Sequence, residues 1–203
     1  MAKLVLLRHG QSTWNLENKF TGWVDVDLTP QGEAEAEEAG KKIALAGIHI
    51  DQAFTSVLKR AIETLELCLR AAGQTGIPIE YDEALNERNY GYLQGLNKAE
   101  TAEKFGEAQV KLWRRSYSVR PPNGESLEDT SKRTLPYFEG KIIPALKDGK
   151  NVLISAHGNS LRAIVMRLDS LSEEEVLALN IPNGVPIIYD FDAAGNPISK
   201  AEL

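Results

Sequence analysis

Little in this chain of 203 residues would cross-link it, anchor it or bind a metal to it. Its one cysteine, Cys68, has no partner for an internal disulfide. No N-terminal apolar segment resembles a signal peptide, and no run is long enough to span a membrane, so a cytoplasmic protein is expected. Positive charge is in deficit: 23 Lys and Arg face 29 Asp and Glu, giving a net charge of −6. That balance argues against nucleic acid or an anionic membrane as partner. No Pro- or Ser-rich linker and no low-complexity tract divides the sequence, and its length predicts one domain. Histidine is scarce, with three residues, and no His-x-x-x-His or closely spaced carboxylate–histidine pattern supplies the third ligand that a pair of them would need, so no metal site is expected. What remains, 42% hydrophobic and 26% charged, is the balance of a globular protein able to bury a substantial core.

Two of the three histidines share one local context. Leu4-Val5-Leu6-Leu7 runs through Arg8 and His9 into Gly10, and Gln11, Ser12 and Thr13 follow. Val152-Leu153-Ile154-Ser155-Ala156 runs through His157 into Gly158, and Asn159 and Ser160 follow. Each run has the length of a strand buried on both faces, stopped by its glycine. In a parallel sheet both histidines would lie beyond the carboxyl ends of their strands, on the edge where α/β proteins do chemistry. A single histidine there is more often structural; two in matching contexts, one beside an arginine, point to function. The third, His49, reads as a structural or surface residue.

The remaining pattern alternates strands with helices, which predicts an α/β fold. Its mostly parallel central sheet is flanked by helices on both faces in a three-layer sandwich, a single domain over 1–203. A polar, Trp-containing loop covers 15–27. Thr29-Pro30 reads as N-cap and first helical position of a helix to about Ala46. Strands are expected at 53–55, 79–81, 151–155 and 185–190. A helix from Ser56 carries the stripe Leu58, Ile62, Leu65, Leu69 and Ala72. Residues 83–125 look like a largely helical insertion, with helices near 98–105 and 107–117. Ser126-Leu127-Glu128-Asp129 fits a capping box opening a helix to about Leu146, bent or broken where Pro136 and Pro144 fall. Helices over 159–168 and after Ser172 complete the order.

Arg60, just after a strand and near a helix start, reaches the same sheet edge as the histidines. The Glu87-Arg88 pair follows the third strand. Taken alone, Arg60, Asn86-Glu87-Arg88 and Trp113-Arg114-Arg115 would read as solvated surface. Together they suit phosphoryl transfer, which asks for little beyond positioning and neutralisation of the equatorial oxygens. At ~4 Å and an effective dielectric near 20, each cation contributes about 4 kcal/mol of attraction, so three or four arginines would hold a phosphate without a metal. A histidine among them has its pKa pushed down, leaving a ring nitrogen nucleophilic near pH 7. A second histidine can donate to the same oxygens, and a carboxyl such as Glu87 can carry the proton.

At these residues the sequence resembles the cofactor-dependent phosphoglycerate mutases of the histidine phosphatase superfamily. Arg8-His9-Gly10 matches the superfamily motif, which phosphatases share. More specific matches are Arg8 to Asn15, Phe20-Thr21-Gly22-Trp23, Thr55 to Ala61, Leu85-Asn86-Glu87-Arg88, Tyr90-Gly91, Leu93 to Lys98, Trp113-Arg114-Arg115 and Ala156 to Arg162. They span Leu4 to about Asp192. The resemblance implies reversible conversion of 3-phosphoglycerate to 2-phosphoglycerate in glycolysis and gluconeogenesis. His9 would be phosphorylated, primed by the cofactor 2,3-bisphosphoglycerate and with no metal. It implies Glu87 as proton donor and acceptor and His157 as stabiliser of the phosphoryl group. Arg8, Arg60, Asn15 and Gly158 would grip that group. Ser12, Thr21, Gly22, Tyr90, Lys98, Arg114, Arg115 and Asn159 would hold the glycerate; Gly10, Gln11, Thr13, Trp14 and Arg88, within the matched segments, and Asn89, between two of them, are further candidates. The implied partners are small phosphoglycerates, with a homo-oligomer left open.

The sequence departs from the family pattern in three places. An insertion carried by longer members is reduced to Pro121-Pro122-Asn123-Gly124-Glu125, the chain stops at Leu203 where many members continue into a tail, and Asn89 stands where a histidine is expected. The alternatives are a phosphomonoester phosphatase on the same fold and a non-catalytic phospho-ligand sensor. Glycerate-binding matches speak against the first, and an acid/base carboxyl that a sensor would not use speaks against the second.

Overall fold

The first strand shows how the sequence builds the fold. In β1 (Ala2–Arg8) the side chains of Leu4 and Leu6 enter one core and those of Val5 and Leu7 another, because successive residues of a strand point to opposite faces. All four are buried, as in a strand covered on both sides. The computed structural model describes residues 1–203. After β1 come α1 (Thr13–Leu16), α2 (Pro30–Leu45), β2 (Gln52–Thr55), α3 (Lys59–Ala71) and β3 (Ile79–Tyr81). The 83–125 segment holds two short 3-10 turns, then α4 (Lys98–Phe105) and α5 (Glu107–Arg115). The chain continues through α6 (Leu127–Tyr137), α7 (Ile143–Lys147), β4 (Val152–Ala156), α8 (Gly158–Asp169), α9 (Glu173–Ala178), β5 (Pro186–Phe191) and β6 (Pro197–Glu202).

One six-stranded sheet has the order β3-β2-β4-β1-β5-β6. The β3-β2, β2-β4 and β4-β1 pairs are parallel, while β5 and β6 run antiparallel on the far edge. In the β1-β4 ladder Arg8 pairs with Ala156, so His9 and His157 leave adjacent strands at the same level. One face packs on α2 and α3 through Ala39, Ile43, Leu65 and Cys68; the other packs on the turn between α6 and α7, on α7 and on α8 through Phe138, Leu146, Leu161 and Ile164. A separate cluster of Phe20, Leu93, Val110 and Trp113 fastens α5 to the loop after β1.

Several elements depart from what the sequence suggests. The helix expected from Ser56 starts at Lys59, because Ser56 and Val57 are engaged elsewhere. Val57 N–H donates to Asn86 Oδ1 (3.2 Å), the Ser56 hydroxyl meets His157, and the free Lys59 N–H of α3 is capped from a distant loop by Asp25 Oδ1 (2.7 Å). The loop after His9 contains the single turn α1, opened by a Ser12 capping box. Neither Pro136 nor Pro144 can donate to the carbonyl four residues back, and between them the backbone widens into a π-helical turn over Phe138–Ile142. The last strand of the sequence reading is not the last: β6 adds an edge, its side chains exposed and without the apolar alternation that marks a strand.

Candidate active site

At the carboxyl edge of the sheet the His9 and His157 rings lie 5.0 Å apart, centre to centre, and both are buried. Their neighbours fix what each ring offers. His9 Nδ1 is 2.7 Å from the Gly10 carbonyl, which can only accept, so Nδ1 carries the hydrogen. Nε2 is left with its lone pair, toward which Arg60 Nε–H points at 3.3 Å. Burial first, then the charges of Arg60 and Arg8, hold the His9 pKa well below the ordinary imidazole value. His9 is therefore neutral at pH 7, with a bare nitrogen facing a guanidinium.

Arg60 is itself 1% exposed and is strapped to the loop after α1 by bonds to the Gly22 carbonyl (2.8 Å) and the Val24 carbonyl (3.1 Å). Burial lowers its pKa to about 10, which leaves it cationic at pH 7. Arg8 donates one bond to the Ile181 carbonyl (2.7 Å), but its Nε is buried with no partner. His157 Nδ1 is likewise buried and unpartnered. Two orphaned groups at one site call for a ligand, because buried polar atoms ordinarily find partners.

Glu87 is the carboxylate of this edge. Its Oε1 accepts from the backbone of Arg88 (2.8 Å) and from Asn159 through both backbone (3.1 Å) and side chain (2.9 Å). Burial works to raise its pKa, but these donors together with Arg60 and Arg8 outweigh it and hold the group below its usual value. The loop carrying it is clamped by Arg133, whose guanidinium reaches the carbonyls of Glu83, Ala84, Asn86 and Glu87 and both oxygens of Glu125.

These groups open into a cleft of about 220 Å³. Of the residues singled out in the sequence, Arg8, His9, Asn15, Thr21, Gly22, Arg60, Glu87, Tyr90, Lys98, Arg114, Arg115, Gly158 and Asn159 line it. The others sit outside the lining, His157 included, its fully buried ring packed beside that of His9. Gly10 lies against α2 so closely that a Cβ would come within 2.1 Å of the Gly32 oxygen. The Gln11 side chain accepts from Thr29 Oγ1 (2.9 Å), and Ser12 caps α1. Thr13 donates its N–H to the Asp27 carbonyl (3.0 Å), and the Trp14 ring lies under Lys19 at 5.7 Å. Arg88 is 1% exposed, donates to the Trp113 carbonyl (2.7 Å) and covers the Tyr90 ring at 4.5 Å. Asn89 Oδ1 accepts from Gly91 N–H (2.8 Å). His49 is on the surface near Asp51.

Lys19, Phe20, Arg162, Asn180 and Ile181 also line the cleft and were not among the candidates. Arg162 had a signal: it lies four residues beyond Gly158 on α8, hence on the same helix face. Asn180 and Ile181, in an irregular loop, had none. The lining thus carries Arg8, Lys19, Arg60, Lys98, Arg114, Arg115 and Arg162 against the single carboxylate Glu87, on a chain of net charge −6. No group of three or more His, Cys, Asp or Glu side chains is placed to hold a metal ion, and no helix is long and apolar enough to cross a membrane.

Comparison with known proteins fits this geometry. A relative from Cytophaga hutchinsonii, named 2,3-bisphosphoglycerate-dependent phosphoglycerate mutase, is 59% identical over 193 residues, 95% of this chain and 89% of the relative. A protein of the same name from Nitrobacter winogradskyi is 56% identical over 200 residues, covering 98% of this chain and 97% of that protein. Among solved structures, Bacillus stearothermophilus YhfR superposes with a TM-score of 0.85 at 27% identity, covering 98% of this chain and 95% of that one. The mycobacterial glucosyl-3-phosphoglycerate phosphatase shares the fold, with a TM-score of 0.84 at 24% identity over 100% of this chain and 97% of that one. Residues 4–202 match the model of the histidine phosphatase superfamily (branch 1), and the chain belongs to that superfamily.

Proposed function

We propose that this protein interconverts 3-phosphoglycerate and 2-phosphoglycerate, a step of glycolysis and gluconeogenesis, by passing a phosphoryl group through His9. The observation that carries the chemistry is the bare Nε2 of His9, held 3.3 Å from Arg60 Nε in a cleft with seven cations and one carboxylate. The choice of reaction rests on the mutase name shared by relatives at 56–59% identity along nearly the whole chain.

In the forward sense His9 Nε2 attacks phosphorus in line with the departing alkoxide. The N–P bond forms as the P–O bond breaks, and the alkoxide takes a proton from Glu87. In the return step a glycerate hydroxyl attacks the phosphorus on Nε2, Glu87 takes its proton, and Nε2 recovers its lone pair. Arg8 and Arg60 neutralise the equatorial oxygens, and the ring of His157 hydrogen-bonds to them. Glu87 rests ionised, ready to act as base. Arrival of a doubly phosphorylated ligand beside it raises its proton affinity through like-charge repulsion, so that it can also act as acid. The unpartnered Arg8 Nε and the excess of cations suit 2,3-bisphosphoglycerate as primer, which when bound supplies the phosphoryl group for His9. Arg114 and Arg115, exposed at the mouth on α5, with Lys98 and Tyr90, would take the carboxylate or second phosphate. No metal takes part in this scheme, and its setting is the cytoplasm.

The test is incubation with 3-phosphoglycerate, with chelator throughout and with or without a trace of 2,3-bisphosphoglycerate. The expected outcome is 2-phosphoglycerate formed faster with the bisphosphate and unaffected by the chelator. Release of inorganic phosphate in place of 2-phosphoglycerate would make the protein a phosphatase, no turnover would make it a sensor, and loss of activity on chelation would overturn the metal-free scheme.

A further inference from the structure

Ser56 ends up buried against the ring of His157, with Oγ 2.7 Å from Nε2 and both residues fully enclosed. The hydroxyl has one other contact: it accepts from Leu58 N–H at 3.2 Å. A hydroxyl has one hydrogen to give. If His157 Nε2 carried a proton and donated it to Ser56, the hydrogen of the fully buried serine would have no acceptor, and Nδ1 would be a buried bare nitrogen with no donor. If instead Ser56 donates to Nε2, the hydroxyl is satisfied in both directions, and the hydrogen of neutral His157 must reside on Nδ1. That nitrogen is the one with no partner in the structure, on a ring 5.0 Å from His9.

We propose that Ser56 is a positioning residue: its hydroxyl fixes His157 as the Nδ1–H tautomer, so that the second histidine presents a donor to the transferring phosphoryl group without carrying a charge. The placement also explains why α3 starts late. Ser56 is in the right place in sequence to cap a helix, but its hydroxyl is turned to His157 and Asp25 caps α3 from outside. A protonated His157 would offer the same donor but would be a further cation beside Arg8 and Arg60, and burial and those charges hold it neutral. A tautomer fixed in advance provides the donor with no reorganisation when charge moves onto the phosphoryl oxygens.

This inference rests on the reading of His157 as the group that faces the phosphoryl, so its test includes a readout that needs no turnover. Ser56→Ala removes one buried oxygen, and Ser56→Thr keeps the hydroxyl. Ring-nitrogen NMR of the 15N-histidine-labelled protein at neutral pH should show His157 as the Nδ1–H tautomer in the native chain and in Ser56→Thr, and a mixture or the Nε2–H form in Ser56→Ala. In the mutase assay Ser56→Ala should lose about 10–100-fold in kcat with KM for 3-phosphoglycerate little changed, and Ser56→Thr should recover most of it. A native His157 with its hydrogen on Nε2, or a Ser56→Ala protein that keeps the Nδ1–H form, overturns the proposal. An Nδ1–H tautomer that depends on Ser56 while kcat does not move would leave the hydrogen-bond assignment standing and overturn the catalytic part. A thermal melt of each variant separates a loss of fold from a loss of tautomer.

Discussion

His9 and His157 are histidines kept neutral by their surroundings, and that has a consequence for stability. Both pKa values lie well below the ordinary value of 6.5 in the folded chain, with burial the first cause and arginine charge the second. On unfolding, each ring returns to water and takes up a proton below about pH 6.5, so in that range the unfolded state binds more protons. The contribution of each ring is therefore complete above about pH 6.5 and is lost as pH falls below it. Thermal melts between about pH 7 and 5 should show a midpoint falling with acidification, and His9→Gln should flatten that fall by up to ~1.4 kcal/mol per pH unit. An equal slope in the two proteins would mean that His9 titrates normally in the fold. The chemistry of His9 was legible because an apolar run, an arginine and a glycine surround it in sequence. The tautomer was not, since the carbonyl and the guanidinium that set it come from the backbone of Gly10 and from a different helix.

Between elements, one side chain outside the cleft lining does most to place the carboxylate. Arg133, on α6, bonds four carbonyls of residues 83–87, pairs with Glu125 and stacks over the Trp23 ring at 5.5 Å. It thereby ties the Glu87 loop to α6 and the loop after α1. Arg133→Ala leaves several of those carbonyls without a donor and should cost about 2 kcal/mol, read as a midpoint lowered by roughly 4–8 °C. Since Glu87 loses its mooring, kcat should fall as well, and Arg133→Lys should restore only part of either because one ammonium cannot span the same fork. A variant with native stability and native kcat would show that the other contacts of the loop hold Glu87 unaided. In sequence Arg133 looks like any charged residue on an amphipathic helix, because its partners lie about fifty positions away. The boundaries of α2, α4 and β3 were readable from caps and periodicity. The start of α3 was not, because its cap comes from Asp25, and β6 was not, because an exposed edge strand needs no apolar alternation.

For the whole molecule, the central feature is the separation of charge. An acidic chain gathers seven cationic side chains around one cleft, drawing them from β1, the loop after α1, and helices α3, α4, α5 and α8. Composition gave only the acidic total; the arrangement depends on a sheet order that brings distant segments to one edge. Whether that cleft passes its phosphoryl group to a sugar acid or to water separates a mutase from a phosphatase. The most direct measurement is a chase of the labelled enzyme. The protein is mixed with 32P-labelled 2,3-bisphosphoglycerate, freed of excess ligand and split, one part quenched for peptide mapping and the other mixed with 3-phosphoglycerate. The expected result is acid-labile label on the His9 peptide, absent from His9→Ala, that moves into bisphosphoglycerate and 2-phosphoglycerate during the chase. Label on another residue, or label recovered as inorganic phosphate at the same rate with and without 3-phosphoglycerate, would contradict it.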